Sequence, residues 1–271
     1  MNAKPMQHQR ALITGASAGI GEAFAHEFAQ HQFDLVLVAR SEPRLQTLAV
    51  ELERLYGVEA RVIACDLTEP DAAQALLEDC ATLNIDVLVN NAGVMYHGSF
   101  ADQTTGSIDT IVQLNIASLT QLTHAFLAPM LEQGRGRILN ITSTTGFQCA
   151  PTLAVYAASK SYILSFTEAL AEELRDSGVT ATAFCPGSTD TNMVARSYGE
   201  ALRANMSGSI LMMSTAEVAR QGYRACMAGD TISIPGLTNK LLNTFGRIQP
   251  RWMNRRVQAY MYEKFLDEDQ G

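Results

Sequence analysis

The chain alternates short apolar runs with longer stretches in which apolar residues recur every three or four positions. Short runs between turn signals are typical of buried strands, and the longer spacing is typical of amphipathic helices. We therefore predict an α/β protein, a doubly wound parallel sheet with helices on both faces in a single domain. The predicted strands cover residues 11–14, 35–38, 60–64, 87–90, 137–141 and 179–184.

The helical pattern predicts where the main helices lie. One begins near Gly19, one ends near Tyr56, and two longer ones cover residues 111–130 and 154–174. After the third strand, Thr68 is predicted to be the N-cap of a further helix, because an acidic residue and a proline follow it. No internal repeat interrupts the alternation of strand and helix.

A glycine-rich turn joins the first strand to the first helix. The segment reads T-G-A-S-A-G-I-G over residues 14–21, which places glycines at Gly15, Gly19 and Gly21. Glycine allows a tight turn and a close approach of backbone to a pyrophosphate, and the helix N-terminus supplies N–H groups and a positive dipole end. The turn is a candidate dinucleotide site, although a strand-to-helix turn also uses glycine for geometry alone.

The end of the second strand is where such a fold selects its dinucleotide. An acidic residue there accepts hydrogen bonds from the adenosine ribose of NAD, whereas NADP carries a 2′-phosphate that a carboxylate would repel. Arg40 occupies this position, while Asp34 lies at the far end of the strand and Glu42 begins the next helix. The guanidinium fork of Arg40 suits a phosphate. We predict NADP(H), with Ser17 and Arg44 as weaker assistants; the alternative is a solvated surface arginine.

Tyr156 and Lys160 stand four residues apart on one face of a predicted helix. Lowering the tyrosine pKa from ~10 to about 7 requires roughly 4 kcal/mol, about what one charge at ~4 Å provides at an effective dielectric near ~20. Lys160 therefore suffices to make Tyr156 a proton donor and acceptor. Taken alone, the pair is also compatible with an ordinary helix surface.

Composition excludes several other functions. The 271 residues are 47% hydrophobic and carry a formal net charge of −8, which argues against nucleic acid as a partner. The five cysteines and five histidines form no metal-ligand pattern, so no metal is predicted. Neither a long apolar span nor a secretory signal is visible, and a cytoplasmic protein is expected.

Six short motifs in order resemble the short-chain dehydrogenase/reductase family, and they cover about the first 190 residues. They are T-G-A-S-A-G-I-G at 14–21, N-N-A-G at 90–93, Asn115, Ser143, Y-A-A-S-K at 156–160 and P-G-S-T-D-T at 186–191. The resemblance implies a Rossmann-type domain and hydride transfer between a nicotinamide cofactor and a ketone or aldehyde. The conclusion does not rest on any one of these motifs, because each is common by itself.

The resemblance also assigns roles. It makes Tyr156 the general acid, places Ser143 on the substrate oxygen, gives Lys160 the nicotinamide ribose, and has Asn115 position a water that links Lys160 to solvent. The residues implied to contact the cofactor are Gly15, Ser17, Gly19, Ile20, Gly21, Arg40, Asp66, Leu67, Asn91, Ala92, Gly93, Tyr156, Lys160, Pro186, Gly187, Thr189 and Thr191.

Two other functions remain as alternatives to NADPH-dependent reduction of an apolar ketone or aldehyde. One is a reductase of 3-oxoacyl thioesters, which a basic entrance for a phosphopantetheine carrier would favour. The other is a protein that binds NADP(H) as a sensor without turnover, which would not need the Asn, Ser, Tyr and Lys set.

Residues beyond the motifs are expected to act on the substrate side. We expect a catalytic domain over residues 1–234 with a mobile, methionine-rich lid at about 188–213, and a helical C-terminal extension over residues 235–271. The extension combines an apolar stripe with basic residues. It is interpreted as an oligomer contact, a cover for the substrate pocket, or a helix on an anionic membrane surface, and the first two are favoured.

The resemblance implies a homodimer or homotetramer that pairs through residues 111–130 and 154–174, where Ala157, Ala158 and Ala169 allow close approach.

Overall fold

The computed structural model describes residues 8–191, 193, 212–248 and 250–267. Its centre is a seven-stranded parallel sheet with the strand order β3-β2-β1-β4-β5-β6-β7. The chain therefore reverses its direction of travel across the sheet between β1 and β4, the place where folds of this kind bind ligands. The strands are β1 (Arg10–Thr14), β2 (Asp34–Ala39), β3 (Ala60–Ala64), β4 (Val87–Asn90), β5 (Gly136–Ile141), β6 (Val179–Phe184) and β7 (Ile232–Ser233).

Helices follow the strands and cover both faces of the sheet, as the alternating pattern predicts. They are α1 (Gly19–Gln30), α2 (Glu42–Tyr56), α3 (Ala72–Asp79), α4 (Thr105–Ile111), α5 (Leu119–Glu132), α6 (Ala154–Glu173), α7 (Thr215–Ala228), α8 (Leu237–Ile248) and α9 (Arg251–Asp267). A π-helical segment, Val112–Ser118, joins α4 to α5, and short 3₁₀ turns occupy Phe100–Asp102 and Thr144–Phe147. No helix of the described residues is long and apolar enough to cross a bilayer.

Two apolar layers hold the helices to the sheet. On one face, Phe24 and Phe28 of α1 pack with Leu45 of α2 and Val218 of α7. On the other face, Leu76 of α3, Phe126 of α5 and Leu170 of α6 form a second cluster. Neighbouring residues of one strand pack into opposite apolar layers, since side chains alternate between the two faces of a sheet. The sheet is thus buried on both faces, which explains why its strands read as continuous apolar runs.

The predicted strands agree with the structure to within one residue at each end. The short strand β7 was missed because two residues carry too little pattern to be recognised. The predicted helix start at Thr68 was wrong: α3 begins at Ala72, and its N-cap Asp71 has a left-handed backbone at φ 60°. The Thr68 side chain instead donates a hydrogen bond to Asp66, so this polar cluster closes a turn rather than capping a helix.

Candidate active site

The glycines of the turn after β1 are required by backbone conformation, by lack of space, or by both. Gly15 and Gly19 have φ angles of +65° and +64°, in the left-handed region that favours glycine. A Cβ atom on Gly21 would lie 2.3 Å from the carbonyl oxygen of Gly15, so the first turn of α1 rests directly on the end of β1. Ser17 is half-buried within the turn, and Ile20 packs against the apolar core. We call the backbone of Gly15, Gly19 and Gly21 the glycine cradle. It lies at the N-terminus of α1, a position that suits a pyrophosphate.

Hydrogen bonds of Thr14 and Asn91 hold the loop after β4 against the end of β1. Thr14 Oγ1 accepts hydrogen bonds from the backbone N–H groups of Asn91 and Ala92, both at 3.0 Å. The side-chain amide of Asn91 in turn donates to the carbonyl oxygens of Thr14 (2.9 Å) and Gly15 (3.3 Å). The anchoring role of Thr14 was not predicted, although its position at the carboxyl end of a buried strand was visible in the sequence.

Arg40 and Asp66 end the neighbouring strands β2 and β3. The Arg40 side chain is 72% exposed, and its Nη1 lies 3.9 Å from Asp66 Oδ2. Partial burial raises the pKa of Asp66, but hydrogen bonds from Thr68 and the charge of Arg40 outweigh this and hold the pKa below its usual value. Leu67 beside it is buried. Asp66 thus stays ionised, and most of the Arg40 guanidinium surface is free to meet an anion.

The helical run before α5 changes its winding around Asn115. The buried Asn115 side chain accepts a hydrogen bond from Val94 N–H (2.9 Å) and donates to the Val94 carbonyl (3.0 Å) and to Ser159 Oγ (3.2 Å). Asn115 therefore ties the loop after β4 to α6, and its unfavourable place in a helix is compensated by these three bonds. π-helical segments are rare within α-helices and are frequently found at functional sites.

Lys160 is a buried cation beside Tyr156. Its Nζ donates to the Ile141 carbonyl at 2.9 Å and lies 5.6 Å from the centroid of the Tyr156 ring. Both side chains are at most 9% exposed. Burial lowers the pKa of Lys160 from 10.5 to about 8, because the charged form loses its hydration. Within the described part of the chain, no carboxylate lies within ion-pair distance of this ammonium group.

The loop carrying Ser143 is packed onto α6. Ser143 caps the Thr144–Phe147 turn by accepting a hydrogen bond from Thr145 N–H (3.2 Å). Ser161 of α6 donates to the Gly146 carbonyl at 2.8 Å, and a Cβ on Gly146 would lie 2.9 Å from the Lys160 carbonyl. The turn that begins at Ser143 is therefore packed against the part of α6 that carries Lys160.

The loop after β6 closes the same edge of the sheet. Thr189 is buried and donates to the Gly187 carbonyl at 3.0 Å, and Pro186 accepts from Thr144 N–H at 2.9 Å. The side chain of Thr191 lies against Gly19, where a Cβ would be 3.6 Å away. The loop thus bridges the Ser143 turn and the glycine cradle.

Two parts of the predicted site lie on opposite sides of β1. The Arg40 and Asp66 pair follows β2 and β3, whereas Ser143 follows β5, with the strand order as above. At a strand spacing of roughly 4.8 Å, three spacings from β2 to β5 give about 14 Å. An extended dinucleotide can span such a distance across the glycine cradle. Gly93 lies at the inner end, where a Cβ would be 3.8 Å from Lys160 Nζ.

Contacts from the C-terminal helices to this site were not predicted residue by residue. A Cβ on Gly187 would lie 2.7 Å from the side-chain amide of Asn239 in α8. Gln258 of α9 donates to Gln148, just after the Ser143 turn, at 2.9 Å. These amides lie in helices whose sequence signals were an apolar stripe and basic residues, and neither signal pointed to the amides. No group of three metal-ligating side chains occurs among the residues described.

Comparison with known proteins agrees with this geometry. The short chain dehydrogenase family matches residues 9–201. The chain is 36% identical to rat 17-beta-hydroxysteroid dehydrogenase type 3 over 187 residues, which is 68% of this chain and 61% of that protein. It therefore spans about three fifths of that relative's length. It is 28% identical to mouse very-long-chain 3-oxoacyl-CoA reductase over 257 residues, which is 93% of this chain and 79% of that protein.

A solved structure shares the same architecture. The short-chain dehydrogenase from Sphingobium yanoikuyae, solved in complex with NADPH, superposes with a TM-score of 0.77 at 33% identity over 84% of this chain and 88% of that one. The parallel sheet with helices on both faces defines a Rossmann-type fold. More narrowly, the chain belongs to the short-chain dehydrogenase family.

Proposed function

We propose that this protein reduces a ketone or aldehyde with NADPH, or oxidises the corresponding alcohol with NADP, in a reversible reaction. The observation that carries this proposal is the buried ammonium of Lys160 beside the Tyr156 ring, next to the Ser143 turn. A buried cation without a carboxylate partner is costly to fold, so its presence there favours a chemical role.

The residues present fit a dinucleotide. Gly15 and Gly21 let the first turn of α1 rest directly on the end of β1, so backbone N–H groups can approach a pyrophosphate closely. Arg40 offers an exposed guanidinium where a 2′-phosphate would lie. The Sphingobium relative is described in complex with NADPH, which supports the same choice here. Under this proposal the cofactor is held by the cradle, Arg40, Asp66, the loop at 91–93, Lys160 and the loop at 186–191.

Tyr156 is proposed as the proton donor and Ser143 as the group that binds the substrate oxygen. The bound nicotinamide supplies the hydride that the carbonyl carbon accepts. As negative charge develops on the oxygen, the Ser143 hydroxyl stabilises it and Tyr156 transfers its proton to it, which leaves a neutral alcohol. Reduction thus consumes one hydride and one proton.

Lys160 and Asn115 prepare this proton transfer. The ammonium group of Lys160 favours the phenolate form of Tyr156 through its charge, so a proton leaves Tyr156 more easily. Because the Lys160 pKa is itself lowered to about 8, its own proton is also mobile near neutral pH. We propose that Asn115, which holds the loop after β4 against α6, keeps a path from Lys160 to solvent in place.

The substrate is proposed to be apolar. Val94 and Met95 pack against the small cluster that contains Tyr156 and Leu153, so apolar side chains border the proton donor. Phe147, Tyr96, His97 and Cys149 belong to the flanking loops. The lid proposed at about 188–213 falls mainly on residues 194–211, including Tyr198 and Met206, which lie outside the described residues. Its described end, Met213, bonds back to Ser188 (3.0 Å).

The decisive variant is Tyr156→Phe, which removes only the hydroxyl group. We expect turnover to fall by about 10²–10⁴-fold, the usual contribution of a general acid. Cofactor binding should persist, so NADPH should still raise the melting temperature of the variant, and by more than NADH does. Turnover near the unmodified level would contradict the role of Tyr156, and a larger stabilisation by NADH would contradict that of Arg40. A sensor without turnover would show no NADPH oxidation in either protein.

A second candidate is the reduction of 3-oxoacyl thioesters. The similarity to the mouse 3-oxoacyl-CoA reductase extends over 93% of this chain, and basic residues lie in the C-terminal helices that reach the Ser143 turn. Initial rates of NADPH oxidation should therefore be compared for a 3-oxoacyl-CoA and for simple ketones of equal chain length. A preference of more than about tenfold for the thioester would replace the first candidate.

We also propose a cytoplasmic homo-oligomer. All five cysteines are free thiols, as in a reducing compartment. Ala158, Tyr162 and Ala169 form an exposed face of α6, and the rings of Tyr162 and Phe166 stack there at 6.0 Å. This face supports pairing through α6 in a dimer or tetramer. Ala157, which was also predicted to face the partner, is buried inside the chain itself and cannot contribute.

A further inference from the structure

Helix α8 turns its polar side inward. Asn243 is only 8% exposed, and the Asn239 amide lies against Gly187 and donates to the Pro235 carbonyl at 3.0 Å. By contrast, Leu237 and Leu241 are 75% and 62% exposed. Successive helical residues are about 100° apart, so the pair 239 and 243 and the pair 237 and 241 occupy opposite sides of the helix. This is the reverse of the arrangement expected for a helix that packs on an apolar core.

Helix α9 repeats the arrangement. Gln258 bonds to Gln148 and Asn254 is half-buried, whereas Trp252 and Tyr260 are 61% and 66% exposed. Trp252 is the only tryptophan of the chain, and it stands on the outer side with the exposed Arg256 one helical turn later. Two consecutive helices therefore present large apolar side chains outward while their amides contact the domain. We call Leu237, Leu241, Leu242, Trp252 and Tyr260 the outer apolar face.

The charge around this face is the opposite of that of the whole protein. Residues 235–267, which include both helices, contain six basic and two acidic residues, in a chain whose net charge is −8. Of the basic residues, Lys240, Arg255 and Arg256 are exposed within the described residues. Leucine, tryptophan and tyrosine bordered by arginine and lysine are the combination found on helices that lie in a membrane interface.

We propose that the outer apolar face binds the surface of an anionic lipid bilayer. A second copy of the chain fits this face less well, because a two-fold contact would bring the same basic residues of both copies together. On a bilayer, the basic side chains meet anionic headgroups while the leucines and Trp252 enter the acyl boundary. The inward contacts to Gly187 and Gln148 hold the two helices against the domain, so the face is presented without refolding.

The test is sedimentation of the full chain with sucrose-loaded vesicles, either of phosphatidylcholine alone or of phosphatidylcholine with phosphatidylglycerol. We expect binding to the anionic vesicles that weakens with added salt, because screening acts on exposed charges. The double variant R255Q/R256Q should bind about 30-fold more weakly, at about 1 kcal/mol for each basic residue near an anionic surface. The variant L237S/L241S/W252S should remain in the supernatant.

A matched control is V50S/L55S, which removes two apolar side chains that are 63% and 48% exposed on α2. This control should sediment like the unmodified protein. Failure of the unmodified protein to sediment with anionic vesicles overturns the proposal, and so does equal loss of binding in the control. A change of molar mass by light scattering in L237S/L241S/W252S, without any change in sedimentation, would assign the face to a second copy instead. Turnover of a water-soluble ketone is measured separately, so failure here leaves the proposed reaction intact.

Discussion

Helices α6 and α8 both direct polar side chains toward the domain, but with opposite consequences. In α6 the inward polar groups include Ser159 and Lys160, which are buried beside Tyr156, and the same helix also buries Leu164 and Leu170. In α8 the inward groups are amides, and the leucines face water. A helix that buries both kinds of side chain contributes a reactive group held by an apolar core. In α8, where the buried side chain among the described residues 237–244 is an amide, the exposed leucines are available for another surface.

The largest expected difference in folding stability between the two helices comes from truncating one leucine in each. Leu164→Ala in α6 should lower the free energy of unfolding by about 2–5 kcal/mol, since the side chain is 7% exposed and leaves a cavity. Leu241→Ala in α8 should change it by less than about 0.5 kcal/mol, since that side chain is 62% exposed. Urea denaturation of the two variants measures both values. A large decrease in the free energy of unfolding of Leu241→Ala would mean that the outer side of α8 is already covered in solution. That result would contradict the proposed difference between α6 and α8.

A smaller expected effect is a change of the free energy of unfolding with pH, which depends on Lys160 of α6. The folded-state pKa of Lys160 is about 8, below the ordinary 10.5, so the folded protein carries the cost of a buried charge at and below pH 8. Between pH 8 and 10.5 the unfolded chain binds more protons than the folded one, and the free energy of unfolding should rise by up to roughly 3 kcal/mol.

The control for this effect is Lys160→Met, measured without cofactor. Burial raises the pKa of the Cys80 and Cys226 thiols to about 11 and 12, which lowers stability as pH rises past 9 in both proteins. At each pH, subtracting the free energy of unfolding of Lys160→Met from that of the unmodified protein cancels the contribution of these two thiols. A difference that stays constant across the window would show that Lys160 is not a buried cation.

The candidate site was largely visible in the sequence because its residues follow the strands and one helix. Tyr156 and Lys160 are local neighbours, so their relation needed only helical spacing. Arg40 and the glycines needed only the ends of β1 and β2. The contacts of Asn115 with Val94 and Ser159 join segments 21 and 44 residues away, and no local pattern specifies such partners.

The sequence by itself determined the sheet, the cradle and the Tyr156–Lys160 pair, because apolar runs, glycine positions and helical spacing act over a few residues. Only the tertiary structure decided how Thr14 and Asn115 lock the loops, and which side of α8 faces the domain. An amphipathic pattern shows that a helix has two unlike sides, but the side that is buried depends on what the rest of the chain offers as a partner. Here the Asn239 amide of α8 lies against Gly187 and donates to the Pro235 carbonyl, and the leucines are left outside.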